Sequence, residues 1–245
     1  MNNVLFDVLR DGYQCLTIPR SGPYRFEVSG AGQWGLEGAE IIGEVWLEKG
    51  EKITVALGQR GTNIYCGSGG TFVVKENRTL MGAPNPKPLF VAGGNGYAHR
   101  HSNFGKARFG QRASGNFNIG FGGVQKFFEK DQKDLSSCGA GFLGSLITGE
   151  LRKDWVAAKS YKDGLIGGIG KDSGLTEGGF GGGGAWYQKN YYYYGAGGGY
   201  TGGGTEICDS YRCNGGGGGS FSIYKEAQFN HVREEYGKCT ITYLD

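Results

Sequence analysis

Residues 164–219 are written largely in glycine, in the runs Gly178-Gly179-Phe180-Gly181-Gly182-Gly183-Gly184, Gly195-Ala196-Gly197-Gly198-Gly199, Gly202-Gly203-Gly204 and Gly215-Gly216-Gly217-Gly218-Gly219. Almost half of the chain's 51 glycines lie there. Glycine loses the most backbone freedom on folding and brings no side chain to bury. Such a tract is therefore either a tether or a structure that needs bare backbone. Collagen is excluded, because the spacing is irregular and only 5 prolines accompany 51 glycines. A flexible linker is the simplest compositional reading. Against it, the tract carries Leu165, Ile166, Ile169, Phe180, Trp186 and Tyr200, where solvating linkers carry serine and charge. The tract is read here as ordered backbone, in polyglycine helices lying side by side with Cα–H···O contacts supplementing N–H···O bonds.

Strand patterns flank the glycine. Gln14-Cys15-Leu16-Thr17-Ile18 alternates, Pro19-Arg20-Ser21-Gly22-Pro23 is turn chemistry, and Tyr24, Phe26 and Val28 share one face of the next strand. Further strands are expected at 39–47, 52–57, 69–75, 86–94, 220–224 and 238–244. The ends thus form a mainly β, antiparallel sandwich (1–94 and 220–245), and 95–219 is an insertion from it. Within the insertion, 126–134 reads as a helical turn or surface loop and 151–161 as a short helix.

The net charge of +3 is small, and no Lys/Arg stripe forms, which argues against nucleic acid. No stretch is long and apolar enough to cross a bilayer, so membrane insertion by this chain is not expected. Met1-Asn2-Asn3-Val4-Leu5-Phe6-Asp7 does not read as a signal peptide. Aliphatic content is low, and the 15 tyrosines and 14 phenylalanines compensate by burying large area.

Cys15, Cys66, Cys138, Cys208, Cys213 and Cys239 form no CxxC pair. They read as a disulfide framework of an oxidising compartment, with buried thiols as the alternative. Cys208–Cys213 would close a short loop. Cys15–Cys239 would follow if the first and last strands pair, leaving Cys66–Cys138. Asn77-Arg78-Thr79 is a glycosylation acceptor pattern, consistent with an extracellular or cell-surface location.

Catalysis finds little support, and no enzymatic activity or cofactor is expected. His99-x-His101 places two rings on one face of an extended segment, but no third ligand lies at useful spacing. His231 stands alone, and no metal site is assigned. The glycine runs lack the Lys-Ser/Thr ending and strand-to-helix setting of a phosphate loop. Binding is better supported. Trp186, Tyr187, Tyr191, Tyr192, Tyr193 and Tyr194 sit between two glycine runs, where a rigid bundle would present them as an aromatic loop for a protein or sugar. They would otherwise cover the end of the bundle itself.

Several segments in order, Thr17-Ile18-Pro19-Arg20-Ser21-Gly22-Pro23-Tyr24-Arg25-Phe26-Glu27-Val28-Ser29-Gly30-Ala31, Leu47-Glu48-Lys49-Gly50-Glu51-Lys52-Ile53 with Leu57-Gly58-Gln59-Arg60-Gly61, Pro88-Leu89-Phe90-Val91-Ala92-Gly93-Gly94, Gly178 to Gly184, Gly198-Gly199-Tyr200-Thr201-Gly202-Gly203 and the closing strand, resemble the glycine-rich extracellular domain of the anaplastic lymphoma kinase and leukocyte tyrosine kinase receptors. The resemblance implies a tumour-necrosis-factor-like sandwich with an inserted bundle of polyglycine-II helices. It also implies a receptor ectodomain that binds a secreted, cytokine-like protein and forms a ligand-dependent homodimer. The family's ligand surface uses acidic residues just before the last strand, where Glu234 and Glu235 stand here, followed by Lys238. Two other classes compete: a carbohydrate-binding adhesin tip of a phage or bacterial fibre, taking a surface glycan, and a structural matrix protein.

Overall fold

The computed structural model describes residues 3–8, 12–33, 35–79, 81–99, 102–114, 138–143, 156–170, 176–188, 192–204, 212–233 and 236–245. Seven strands come first: β1 (Asn3–Val8), β2 (Tyr13–Thr17), β3 (Gly22–Ser29), β4 (Gly38–Leu47), β5 (Lys52–Ala56), β6 (Thr71–Lys75) and β7 (Lys87–Ala92). Three short strands follow in the glycine-rich region: β8 (Tyr187–Gln188), β9 (Tyr192–Tyr193) and β10 (Arg212–Cys213). The chain closes with β11 (Phe221–Ser222), β12 (Gln228–Val232) and β13 (Lys238–Tyr243). Helix is confined, among the described residues, to one turn at Ser102–Gly105 and a 3-10 turn at Tyr161–Asp163.

Two five-stranded antiparallel sheets result, ordered β1-β13-β3-β4-β12 and β11-β7-β6-β5-β2. Alternation decides what each face buries. In β3, Tyr24, Phe26 and Val28 are wholly buried, while Arg25 and Glu27 pair at 3.0 Å on the other face. Those apolar residues meet Ile53, Val55, Val73, Leu89 and Phe90 of the second sheet in one shared core. Phe26 and Phe90 touch at 5.1 Å between ring centroids. Gly43 in β4 makes room for this: a Cβ there would lie 2.7 Å from the Phe90 ring.

The second sheet is buried on both faces. Ala56, Phe72, Val74 and Val91 point away from the first core and form another with Phe142 and Leu165 of the glycine-rich region. Aromatic rings bind this layer together. Phe142 stacks on Tyr161 at 5.0 Å, Tyr200 stacks on Phe221 at 4.7 Å, and Tyr13 meets Tyr161 and Phe180 edge-on.

Beyond that layer the glycine segments lie directly against one another. Gly94 N–H donates to Gly198 O, Gly197 to Gly216 O, Gly216 to Gly204 O and Gly67 to Gly184 O, each at 2.8 Å. Gly218 donates back to Gly94 O at 2.9 Å, and Gly70 to Gly181 O at 3.0 Å. These bonds join residues far apart in sequence and link the tract to loops that leave β5 and β7. A Cβ at Gly198 would stand 2.0 Å from Gly181 O, and one at Gly67 would stand 1.9 Å from Ala196 O. The glycine hydrogen in that direction points at the carbonyl, as in a Cα–H···O contact.

Differences from the sequence expectations have local causes. The expected helix at 151–161 is not formed over 156–160. Val156 instead bridges Ile169 through paired backbone bonds of 3.0 and 2.8 Å, which hold that segment extended. The part at 126–134 lies outside the described residues. Strand pairing also separates two proposed disulfide partners. Cys15 is in β2, at the edge of the second sheet, whereas Cys239 is in β13 between β1 and β3. Cys15, Cys66, Cys138 and Cys239 are all thiols, so neither Cys15–Cys239 nor Cys66–Cys138 exists. Cys213 is disulfide-bonded, and Cys208 lies outside the described residues.

Two outcomes follow. Gly198→Ala drives a Cβ into backbone and is expected to cost about 3 kcal/mol or more, whereas Gly110→Ala, with nothing within 4 Å, stays within about 1 kcal/mol of the parent; urea midpoints report both. For Tyr13, burial first and the Asp163 charge second push the phenol from the ordinary 10.0 up to about 12. The unfolded chain therefore loses this proton first, so the stabilisation is complete below about pH 10 and is lost as pH rises toward 12. Chemical denaturation across that window should show a falling midpoint that is shallower in Tyr13→Phe; equal slopes would assign the loss elsewhere.

Candidate ligand-binding site

The glycine segments converge at one end on an aromatic group drawn from three parts of the chain. Tyr65 comes from the loop after β5, Tyr97 from the loop after β7, and Trp186, Tyr192 and Tyr194 from the glycine tract. Tyr65 is the hub. Its ring lies 5.2 Å from Tyr97, 5.2 Å from Trp186 and 5.5 Å from Tyr194. Tyr97 and Tyr194 approach to 4.7 Å, and Tyr192 stacks over Tyr194 at 6.4 Å. Such contacts add about 0.5–1.5 kcal/mol per pair beyond burial.

Backbone bonds hold the hub in place. Gly195 N–H donates to Tyr65 O at 2.8 Å, Tyr97 N–H to Gly195 O at 3.0 Å and Gly215 N–H to Tyr97 O at 2.9 Å. Gly195 thus accepts and donates between two aromatic loops. Beside it, β8, β9 and β10 form a small sheet in which Arg212 pairs with Tyr192 and Cys213 with Tyr193. That pairing brings exposed Arg212 to the edge of the rings. Its Nη1 lies 2.7 Å from His99 Nε2 and 3.0 Å from Nδ1. A guanidinium only donates, so the His99 nitrogen that accepts is unprotonated.

Burial raises the Tyr97 and Tyr194 hydroxyls above the ordinary value, and the nearby Arg212 charge opposes that shift. The Trp186 indole Nε1 is buried without a hydrogen-bond partner.

The expected site residues separate into two places. Trp186, Tyr192 and Tyr194 join the aromatic group, and the backbones of Tyr187 and Tyr193 pair in β8 and β9. Tyr194 is only 3% exposed and forms the floor rather than a presented surface. Tyr191 lies outside the described residues, as do Glu234, Glu235 and His101. Lys238 opens β13 opposite Ser29, in the first sheet. Tyr65, Tyr97 and Arg212 were not expected. Tyr97 directly follows Gly93-Gly94-Asn95-Gly96, so an aromatic flanking a glycine run was its sequence signal. His231 is occupied elsewhere, with Nε2 3.0 Å from Ala107 O and its ring 4.3 Å from Phe109. Among the described residues no group of three or more His, Cys, Asp or Glu is placed to hold a metal ion.

A concavity of about 600 Å³ lies at the edge of the second sheet, lined by Cys15, Glu51, Lys52, Thr54, Glu76, Asn77 and Arg78 among others. Asn77 is half-buried in a small hairpin there, its carbonyl accepting from Asn85 N–H at 2.8 Å. Its lining residues carry no aromatic ring.

No protein-family model matches the chain, and no curated protein matches it in sequence.

Cys15 is exposed, whereas Cys66, Cys138 and Cys239 are 0, 1 and 0% exposed. Burial also pushes the Cys66 thiol up, which disfavours its reactive thiolate. Timed alkylation with mass mapping should label Cys15 in minutes in the native protein, and the three buried thiols only on unfolding. Equal labelling of all four would contradict the packing described.

Proposed function

We propose that this chain is an extracellular recognition module of a receptor-tyrosine-kinase-like ectodomain, without enzymatic activity or cofactor. In this reading the two sheets are a tumour-necrosis-factor-like sandwich, and the glycine segments are polyglycine-II helices inserted into it. The module binds a small secreted, cytokine-like protein and dimerises when the ligand is bound. One observation supports the reading above others: the aromatic group is assembled from the glycine tract and two loops whose backbones are hydrogen-bonded to it. Rings held in this way meet a partner with little further loss of side-chain freedom. Tyrosine, tryptophan and arginine are also the residues on which protein interfaces concentrate binding energy.

The test is binding of the whole chain to a panel of small secreted cytokine-type proteins, measured by surface plasmon resonance. At least one is expected to bind, with about a tenfold or greater loss for Tyr192→Ala. Parallel charge reversal at Glu234 and Glu235 tells whether the surface before β13 contributes. Absence of any protein ligand, together with glycan-array binding that Tyr192→Ala abolishes, would replace this reading with that of a fibre tip.

A further inference from the structure

We infer that the rim of the aromatic group is a carboxylate site, which takes an Asp or Glu side chain from an acidic segment of a protein partner. The inference rests on the protein-ligand reading and adds the chemistry that would be recognised. The site is rich in donors. Arg212 is exposed and carries five N–H donors, of which only those on Nη1 face His99. Half-buried Tyr97, close enough to Arg212 to feel its charge, adds a phenol O–H donor.

A carboxylate supplies what these groups lack. It accepts two parallel bonds from a guanidinium and a further bond from a phenol, and such charge-assisted bonds are about twice as strong as neutral ones. The half-buried rings of Tyr65, Tyr97 and Tyr192 exclude water from one side of the pair, which weakens solvent screening. They also offer apolar surface to the residue next to the acid. A neutral sugar would stack on the same rings but draw little from Arg212.

The probe is a pool of fluorescein-labelled hexapeptides, each with one Asp or Glu beside Leu or Phe, measured by anisotropy against the whole chain. A matched pool carries Asn or Gln in place of the acid. The acidic pool is expected to bind about tenfold or more tightly than the amide pool. That preference should disappear in Arg212→Gln, shrink in Tyr97→Phe, weaken with added salt, and persist in Lys49→Gln, which alters a surface lysine in a different loop. Unchanged near-ultraviolet circular dichroism shows that each variant keeps its packing. Equal binding of both pools, or an acidic preference that survives Arg212→Gln, overturns the proposal. So does binding of sialylated or hexuronate oligosaccharides where acidic peptides fail, which would move the carboxylate to a glycan. A cytokine-type ligand lost on Tyr192→Ala but indifferent to Arg212→Gln would defeat the carboxylate site while leaving the recognition reading intact. An Arg212-dependent acidic preference with no ligand in the protein panel would do the reverse.

Discussion

Backbone hydrogen bonding between glycine segments is the interaction on which the rest depends. A buried peptide group without a partner is costly, and a chain with so few aliphatic side chains has little core to offset such losses. Here bonds such as Gly94 to Gly198 O and Gly197 to Gly216 O satisfy the backbone across distant parts of the sequence. The close approach they require leaves no space for a Cβ at Gly67, Gly197, Gly198 or Gly203. Glycine is therefore used for its lack of a side chain, and its usual entropic disadvantage is met by the number of bonds formed. Each Cα–H···O contact adds about 0.5–1 kcal/mol in the same places.

That lattice of backbone would drift if nothing tied it to the sheets. The second sheet supplies the tie by burying both faces: Ile53, Val55 and Val73 face the first sheet, and Ala56, Phe72 and Val74 face Phe142 and Leu165. Large rings suit this boundary, because one Phe or Tyr covers area that a glycine-rich layer cannot cover itself. Tyr13, Phe142, Tyr161, Phe180, Tyr200 and Phe221 form the seam. At the other end of the same backbone, Tyr65, Tyr97 and Tyr194 stand in mutual contact around Gly195. Seam and candidate site are thus two uses of one device, aromatic rings seated on bare backbone.

Much of the strand layout was legible because alternation is a local property. Tyr24, Phe26 and Val28 read as one face and are one face, and β5, β6, β7 and β13 fall within the segments expected as strands. β12 was missed because Gln228-Phe229-Asn230-His231-Val232 is polar and pairs along only one side, with β4. The Cys15–Cys239 pairing failed because sheet membership is a long-range property: β2 and β13 both read as strands, yet they lie in different sheets. For the site, Trp186, Tyr192 and Tyr194 were visible as a run. Tyr65 and Tyr97 were not, since only the fold brings the loops after β5 and β7 to the glycine tract.

Native-state amide hydrogen exchange, followed by fragment mass spectrometry, addresses the glycine lattice most directly. Amides of Gly67, Gly94, Gly184, Gly197, Gly198, Gly216 and Gly218 all donate to backbone carbonyls. They should exchange as slowly as those of β3 and β13, through opening close to global unfolding. Fast exchange at these glycines, while β3 and β13 remain protected, would contradict a hydrogen-bonded scaffold and leave the aromatic group without its support.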